Sequence, residues 1–143
     1  MASFSHTVSI PKPPAEVFPW LLAEDKVPQW TGRLQRYEVL GDGTLGAGSR
    51  IRQVLTVGGR PLDLEIEITR FDPPGFAESR FETNGLHVVT TYALREASGG
   101  TDLTQTLEGK PEGFKARLLV PVVQPKLESK LTEDLERLRE LLS

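Results

Sequence analysis

Residues 50–71, which read RIRQVLTVGGRPLDLEIEITRF, decide the fold. Apolar and polar residues alternate on both sides of Gly58-Gly59, a pattern typical of two half-buried strands joined by a two-residue turn. Pairing the two residues that flank this turn places Ile51 opposite Ile66 on an apolar face, and the charged residues share the other face. A one-residue slip would move every side chain to the wrong face, so the pattern predicts both the hairpin and its register.

The same reasoning extends to the rest of the chain between residues 34 and 111. Turn-forming clusters follow one another at short, regular distances, which is typical of an antiparallel meander. They lie at residues 41–48, 58–59, 72–75, 84–85 and 98–100. A four-residue loop over 72–75 places Phe71 opposite Phe76, and the outer face then carries a predicted charge ladder of Arg50, Glu67 and Arg80.

The segments on either side of the meander complete the predicted fold. Residues 3–10 alternate as a strand, and two short helices are expected near residues 14–23 and 25–30. At the other end, leucines at helical spacing predict a long amphipathic helix with a buried stripe. The stripe consists of Leu127, Leu131, Leu135, Leu138 and Leu142, continued upstream by Phe114, Leu118 and Val122, with Pro121 and Pro125 expected to kink or split the helix. We therefore predict an α+β fold in which a seven-stranded antiparallel sheet curves around this helix, as one domain over residues 1–143.

Composition excludes several functional classes. The chain has 143 residues, no cysteine, two histidines and a formal net charge of −3. Without cysteine there are no disulfides, thiolate metal sites or cysteine nucleophiles, so we expect no metal and no cofactor. The weakly acidic balance argues against nucleic acid as a partner. No export signal or membrane-spanning run is visible, which predicts a cytoplasmic protein without integral membrane association, as a monomer or a homodimer.

The predicted inner face of the sheet is not purely aliphatic. It carries uncharged polar side chains, and the register brings Ser79 opposite Thr90 and Tyr92 opposite Gln105. A buried hydroxyl or amide without a partner costs about 1–3 kcal/mol, so these groups must bond one another or face a cavity. Either a filled core or a ligand cavity satisfies the pattern. The candidate ligand-binding residues are His6, Trp30, Tyr37, Gln53, Leu64, Ser79, Phe81, Thr90, Tyr92, Gln105, Phe114 and Leu118.

The order of elements and several short motifs resemble the helix-grip fold of the START-related superfamily (SRPBCC), and above all its polyketide cyclase/dehydrase-like members. The motifs lie at residues 8–11, 14–18, 27–30, 45–50 and 71–74 and in the tail 118–142. The resemblance implies an internal cavity for an apolar or aromatic, lipid- or polyketide-like ligand. It does not imply one reaction, because carriers, receptors, cyclases and co-chaperone-like proteins share the fold. It also implies that Trp30 lies at the cavity mouth, where it could gate entry.

Three functions therefore stay open at this point. The first is binding of a small apolar ligand between sheet and helix. The second is a cyclase or dehydratase type of enzyme in which His6 acts as acid or base, or Tyr92 with Gln105 polarises a ketone. No carboxylate is expected beside His6, and His87 is expected on the outer face opposite Glu82. The third is a co-chaperone-like interaction module without a usable cavity.

Overall fold

The computed structural model describes residues 2–143. Seven strands form one antiparallel sheet in the order β1-β7-β6-β5-β4-β3-β2, and a long helix packs against β1 and β7. The elements are β1 (Ala2–Ile10), α1 (Pro14–Val17), 3₁₀ turns at Phe18–Trp20 and Val27–Gln29, β2 (Leu34–Val39), β3 (Arg50–Val57), β4 (Arg60–Asp72), β5 (Phe76–Thr83), β6 (Leu86–Ala97), β7 (Gly100–Pro111) and α2 (Phe114–Leu141). The predicted helix-grip arrangement of sheet and C-terminal helix is confirmed.

The hairpin register follows the alternation of the sequence. Ile51 lies opposite Ile66 in the β3–β4 pair, as predicted. The turn between these strands places Gly58 at φ 59° and Gly59 at φ 79°. Both angles lie in the left-handed region that glycine adopts without a Cβ clash, and a two-residue turn of type I′ requires positive φ at both positions.

One part of the predicted register is wrong. Glu67 faces Arg80 as expected, but Phe71 faces Ala77 instead of Phe76, because the β4–β5 ladder shifts between Ile68 and Arg70. Two steps along β4 match one step along β5, so Thr69 is the extra residue of a β-bulge. The Thr69 hydroxyl donates to the Glu78 carboxylate at 2.8 Å, which gives this polar side chain a partner at the irregularity.

The predicted charge ladder forms only in part. Arg80 binds Glu67 at 2.9 Å, whereas Arg50 binds Glu65 at 2.7 Å and not the residue directly opposite. Likewise His87 lies opposite Glu82 but contacts Glu112. Long exposed side chains reach diagonal neighbours as easily as direct ones, so register alone does not determine which charges meet.

The first helix is shorter than predicted. α1 ends at Val17, and a 3₁₀ turn replaces the α-helix over Phe18–Trp20 instead of continuing to residue 23. Proline lacks the N–H group that an α-helix uses to bond the carbonyl four residues earlier, so Pro19 removes a bond at the point where this single-turn helix would have to extend. Phe18 then packs edge-on against Phe71 of β4, with ring centroids 5.3 Å apart.

The two halves of α2 differ in burial. Leu131, Leu135, Leu138 and Leu142 are buried as predicted, but Phe114, Leu118 and Val122 are 75, 61 and 57% exposed. The predicted upstream stripe is wrong because an α-helix repeats every 3.6 residues, so the buried face continues from Leu127 through Gln124 and Val120 to Ala116. Of the predicted kink or split at Pro121 and Pro125, the split is wrong, since α2 runs through both prolines as one helix.

Candidate functional site

Two chambers lie between the sheet and α2. The inner chamber has a volume of about 120 Å³, and every residue around it is buried or half-buried. Its wall consists of Leu21, Leu22, Val27, Trp30, Thr31, Tyr37, Ile51, Gln53, Leu55, Leu64, Ile66, Ser79, Phe81, Thr90, Tyr92, Gln105, Leu107, Leu127, Lys130, Leu131 and Asp134.

The outer chamber is larger, about 290 Å³, and lies beside the first half of α2. Its wall includes Arg117 and Pro121, two exposed residues of α2, so the chamber reaches the surface there. Its wall consists of Phe4, Leu86, Val88, Leu107, Gly109, Pro111, Arg117, Val120, Pro121, Gln124, Leu127 and Glu128. Apolar side chains dominate this list, and its polar members are Arg117, Gln124 and Glu128.

Most of the candidate residues from the sequence come together around the inner chamber. These are Trp30, Tyr37, Gln53, Leu64, Ser79, Phe81, Thr90, Tyr92 and Gln105. His6, Phe114 and Leu118 line neither chamber. The strand residues converge because strand alternation and hairpin register place them on one face of the sheet. Phe114 and Leu118 line neither chamber because the buried face of α2 runs through Gln124 and Val120 instead.

Tyr92 and Gln105 form the polar centre of the inner chamber. The Gln105 amide donates to the Tyr92 hydroxyl at 3.3 Å, and within residues 2–143 the Tyr92 proton itself has no protein acceptor. Burial raises the pKa of Tyr92, and the charge of Asp134 raises it further. The phenol is therefore neutral at physiological pH and can donate a hydrogen bond to a carbonyl or hydroxyl oxygen in the chamber.

Two aromatic candidates already have backbone partners. The Tyr37 hydroxyl donates to the Leu22 carbonyl at 2.7 Å, and burial raises the pKa of Tyr37. The Trp30 indole N–H donates to the Trp20 carbonyl at 2.8 Å, and Trp30 is only 3% exposed. Trp30 therefore belongs to the wall of the inner chamber, and a role in gating entry stays a prediction.

A charge cluster on α2 contributes Lys130 and Asp134 to the wall of the inner chamber. Asp134 lies 2.5 Å from the Lys130 ammonium and 3.0 Å from the Arg137 guanidinium. The side chains of Lys130 and Asp134 are only 16 and 10% exposed. The predicted leucine stripe of α2 included neither Lys130 nor Asp134. The available signal was the position of Asp134 beside Leu135 and three residues after Leu131, inside the apolar stripe.

The charge cluster also hydrogen-bonds α2 to the backbone of residues 30–32, which precede β2. Asp134 accepts the Gly32 N–H at 3.0 Å, and Lys130 donates to the Gly32 carbonyl at 2.7 Å. Arg137 donates to the Trp30 carbonyl at 2.8 Å. A Cβ at residue 32 would lie 3.2 Å from the Arg137 guanidinium, so glycine permits this close approach. The three charges thus replace water as hydrogen-bond partners of this backbone.

His6 does have a carboxylate partner, contrary to the expectation from sequence. Its Nε2 atom lies 2.8 Å from the Glu136 carboxylate on α2. The partner comes from the helix and not from the neighbouring strands, and for this reason the sheet register could not reveal it. The pair joins β1 to α2 outside both chambers.

The Glu136 contact predicts a pH dependence of stability. The bond with His6, and after it the bond with Arg139, holds the pKa of Glu136 below the ordinary glutamate value of 4.5. A lowered pKa in the folded state stabilises the protein above the unfolded value, and this contribution is lost as the pH falls from about 4.5 through the lower folded-state pKa. We expect Glu136→Gln to make the melting temperature less sensitive to pH in this acid range, measured by thermal unfolding between pH 7 and pH 3.

The matched control is Glu140→Gln, which removes a more exposed carboxylate from the same helix. This variant should keep the acid dependence of the unmodified chain. An identical pH profile for Glu136→Gln and the unmodified chain would contradict the expected role of the pair.

Metal-ligand clusters and membrane-spanning helices are both absent from residues 2–143. These residues contain no group of three or more His, Cys, Asp or Glu side chains placed to hold a metal ion. No helix in this part of the chain is long and apolar enough to cross a membrane.

Solved structures share this fold across nearly the whole chain. The crystal structure of Ara h 8.0201 matches with a TM-score of 0.77 and 18% identity, over 99% of this chain and 97% of that one. TTHA0849 from Thermus thermophilus matches with a TM-score of 0.80 and 19% identity, over 97% and 95%. The Aha1 dimer from Colwellia psychrerythraea matches with a TM-score of 0.72 and 16% identity, over 99% and 96%. At these identities the likeness establishes the fold alone.

The sequence comparisons are more specific about ancestry. No curated protein is a significant match to the sequence. A family model described as polyketide cyclase / dehydrase and lipid transport matches residues 1–143, and thus the full length given. The chain therefore belongs to the polyketide cyclase/dehydrase and lipid transport family of the SRPBCC superfamily.

Proposed function

We propose that the protein binds a small apolar or aromatic molecule in the space between the sheet and α2. The observation that carries the proposal is the make-up of the inner chamber, where aliphatic walls surround a few converging polar groups. Ligand pockets generally combine apolar walls, which contribute affinity, with a small number of polar groups that orient the ligand. Family membership agrees with a hydrophobic ligand.

The free proton of Tyr92 supports this assignment. A hydroxyl that accepts from Gln105 but has no protein acceptor of its own can still bond a ligand oxygen. Such a bond would orient one polar atom of an otherwise apolar molecule.

No observation favours catalysis over binding. His6 lines neither chamber and is held by Glu136, so it is not placed to act as acid or base on a ligand there. The raised pKa of Tyr92 makes its phenolate unavailable as a base near neutrality. The polar groups of the inner chamber are suited to orienting a ligand, which a carrier requires as much as an enzyme does.

The test is a titration with the neutral fluorescent probe N-phenyl-1-naphthylamine, preceded by native mass spectrometry and solvent extraction of the purified protein. We expect saturable binding. Thr90→Phe should weaken it by about tenfold or more, because it inserts a ring into the inner chamber. The matched control is Thr91→Phe on the same strand, since the adjacent side chain points to the opposite face of the sheet.

The outcomes separate the open functions. Loss of binding in Thr90→Phe alone, with both variants folded by circular dichroism, supports a ligand in the inner chamber. Absence of saturable binding to the unmodified chain, together with a clean mass without bound molecules, would reject the proposal in favour of an interaction module.

A further inference from the structure

We propose that the ligand is an amphiphile that spans both chambers, with a neutral polar end in the inner chamber and an apolar chain in the outer one. Leu107 and Leu127 lie between the two and set which chain length is accepted. This inference rests on the proposed function, because it concerns the ligand of the same site.

The two chambers are neighbours in one groove. Leu107 and Leu127 are the residues that line both of them. Along β7 the inner chamber contacts Gln105 and the outer one contacts Gly109 and Pro111, with Leu107 between them. On α2 the order is the same. The inner chamber borders Asp134, Lys130 and Leu131, both chambers border Leu127, and the outer one borders Gln124 and Val120.

The size of the chambers argues that they act together. Pockets for drug-sized ligands usually measure about 300–1,000 Å³, and the inner chamber at about 120 Å³ is well below this range. The outer chamber at about 290 Å³ is at its lower edge, and the two together fall inside it. With a strand rise of about 3.4 Å per residue, the path from Gln105 to Pro111 measures roughly 20 Å.

The polarity of the two ends differs in a way that fits an amphiphile. Tyr92, Gln105 and Thr90 offer hydroxyl and amide groups in the inner chamber. The sheet side of the outer chamber is apolar, with Phe4, Leu86 and Val88, and its polar residues Arg117, Gln124 and Glu128 all come from α2. The charges of Lys130 and Asp134 are bound to each other. No unpaired charge in the described wall of the inner chamber would select an ionised head group, so the polar end is a hydroxyl or a carbonyl.

The partition is inferred from the two leucines that line both chambers. Leu107 and Leu127 are both only half-buried, from a strand and a helix that face each other across the groove. An alkyl chain can pass between them when these side chains change rotamer. A larger side chain at either position would close the passage without altering the rest of either chamber.

The experiment measures how affinity depends on chain length. The 1-alkanols from hexanol to dodecanol are titrated as competitors of N-phenyl-1-naphthylamine. In the unmodified chain each added methylene should raise affinity by about fourfold, since burying one contributes about 0.8 kcal/mol. In Leu127→Trp the affinity should stop rising with chain length after the short alkanols. Leu118→Trp, on the exposed face of the same helix, should show the same rise in affinity per methylene as the unmodified chain. Leu107→Phe repeats the test from the strand side, in case the first variant does not fold.

The results distinguish this inference from the function on which it rests. A slope unchanged in both folded partition variants, with alkanols still bound, overturns the two-chamber ligand and leaves the proposed function standing. Failure of the unmodified chain to bind either the probe or any alkanol removes the proposed function itself. Tyr92→Phe should lower the affinity for 1-decanol by about two- to tenfold, and an unchanged affinity would contradict the placement of the polar end.

Discussion

Replacing Leu135 with alanine is expected to lower the free energy of unfolding by about 2–5 kcal/mol, which for a domain of this size is a large part of the total. Leu135 is 0% exposed in the middle of the buried stripe of α2. The substitution loses the free energy gained by moving the leucine side chain from water into the core. It also leaves a cavity, because the sheet and the helix around it cannot move far enough to fill the space. Urea denaturation followed by circular dichroism measures the effect.

Leu118→Ala is the matched control for this prediction. It makes the same chemical change on the same helix, but Leu118 is 61% exposed. Its effect should stay within about 0.5 kcal/mol, as for most surface substitutions. If the two variants lost equal stability, the assignment of the buried and exposed faces of α2 would be wrong.

The second large effect is expected for Asp134→Asn, which should cost about 3 kcal/mol or more. The substitution keeps the size of the side chain but leaves the Lys130 ammonium, 16% exposed, without its counterion. Removing one partner of a buried ion pair typically costs about 3–5 kcal/mol, because the remaining charge stays desolvated. The Gly32 N–H also loses a charged acceptor.

A double variant separates the cost of the unpaired charge from the value of the pair. Lys130→Met with Asp134→Leu removes both charges at similar volume and should recover much of the lost stability. Urea denaturation of the single and double variants completes the comparison. A double variant as unstable as Asp134→Asn would show that the bonds to Gly32, and not charge burial, dominate this contact.

The fold was predictable because strand alternation and turn chemistry are local properties. Gly58-Gly59 and Asn84-Gly85 place the turns, and a period of two then assigns each strand residue to a face. The polar members of the inner chamber, Tyr92 and Gln105, were found in this way. Their convergence depends only on register, which the sequence specifies strongly.

The predictions failed where an irregularity leaves no sequence pattern and where the apolar stripe of the helix was extended with the wrong repeat. The bulge at Thr69 shifts a register by one residue and leaves no clear pattern in the sequence. Phe114, Leu118 and Val122 are as apolar as a buried stripe, and only the helical repeat measured from Leu127 shows that they lie on the other face.

The sequence by itself therefore determined the seven strands, most of the hairpin pairing from β3 to β7, the long helix and the polar groups that the sheet carries inward. Only the tertiary structure decided what the helix brings to them. It paired His6 with Glu136, bonded Lys130 and Asp134 to Gly32, and placed Leu127 with Leu107 in the walls of both chambers. The physical reason is that hairpin partners are set by short loops, whereas the rotation and docking of α2 on the sheet depend on packing between residues about a hundred positions apart.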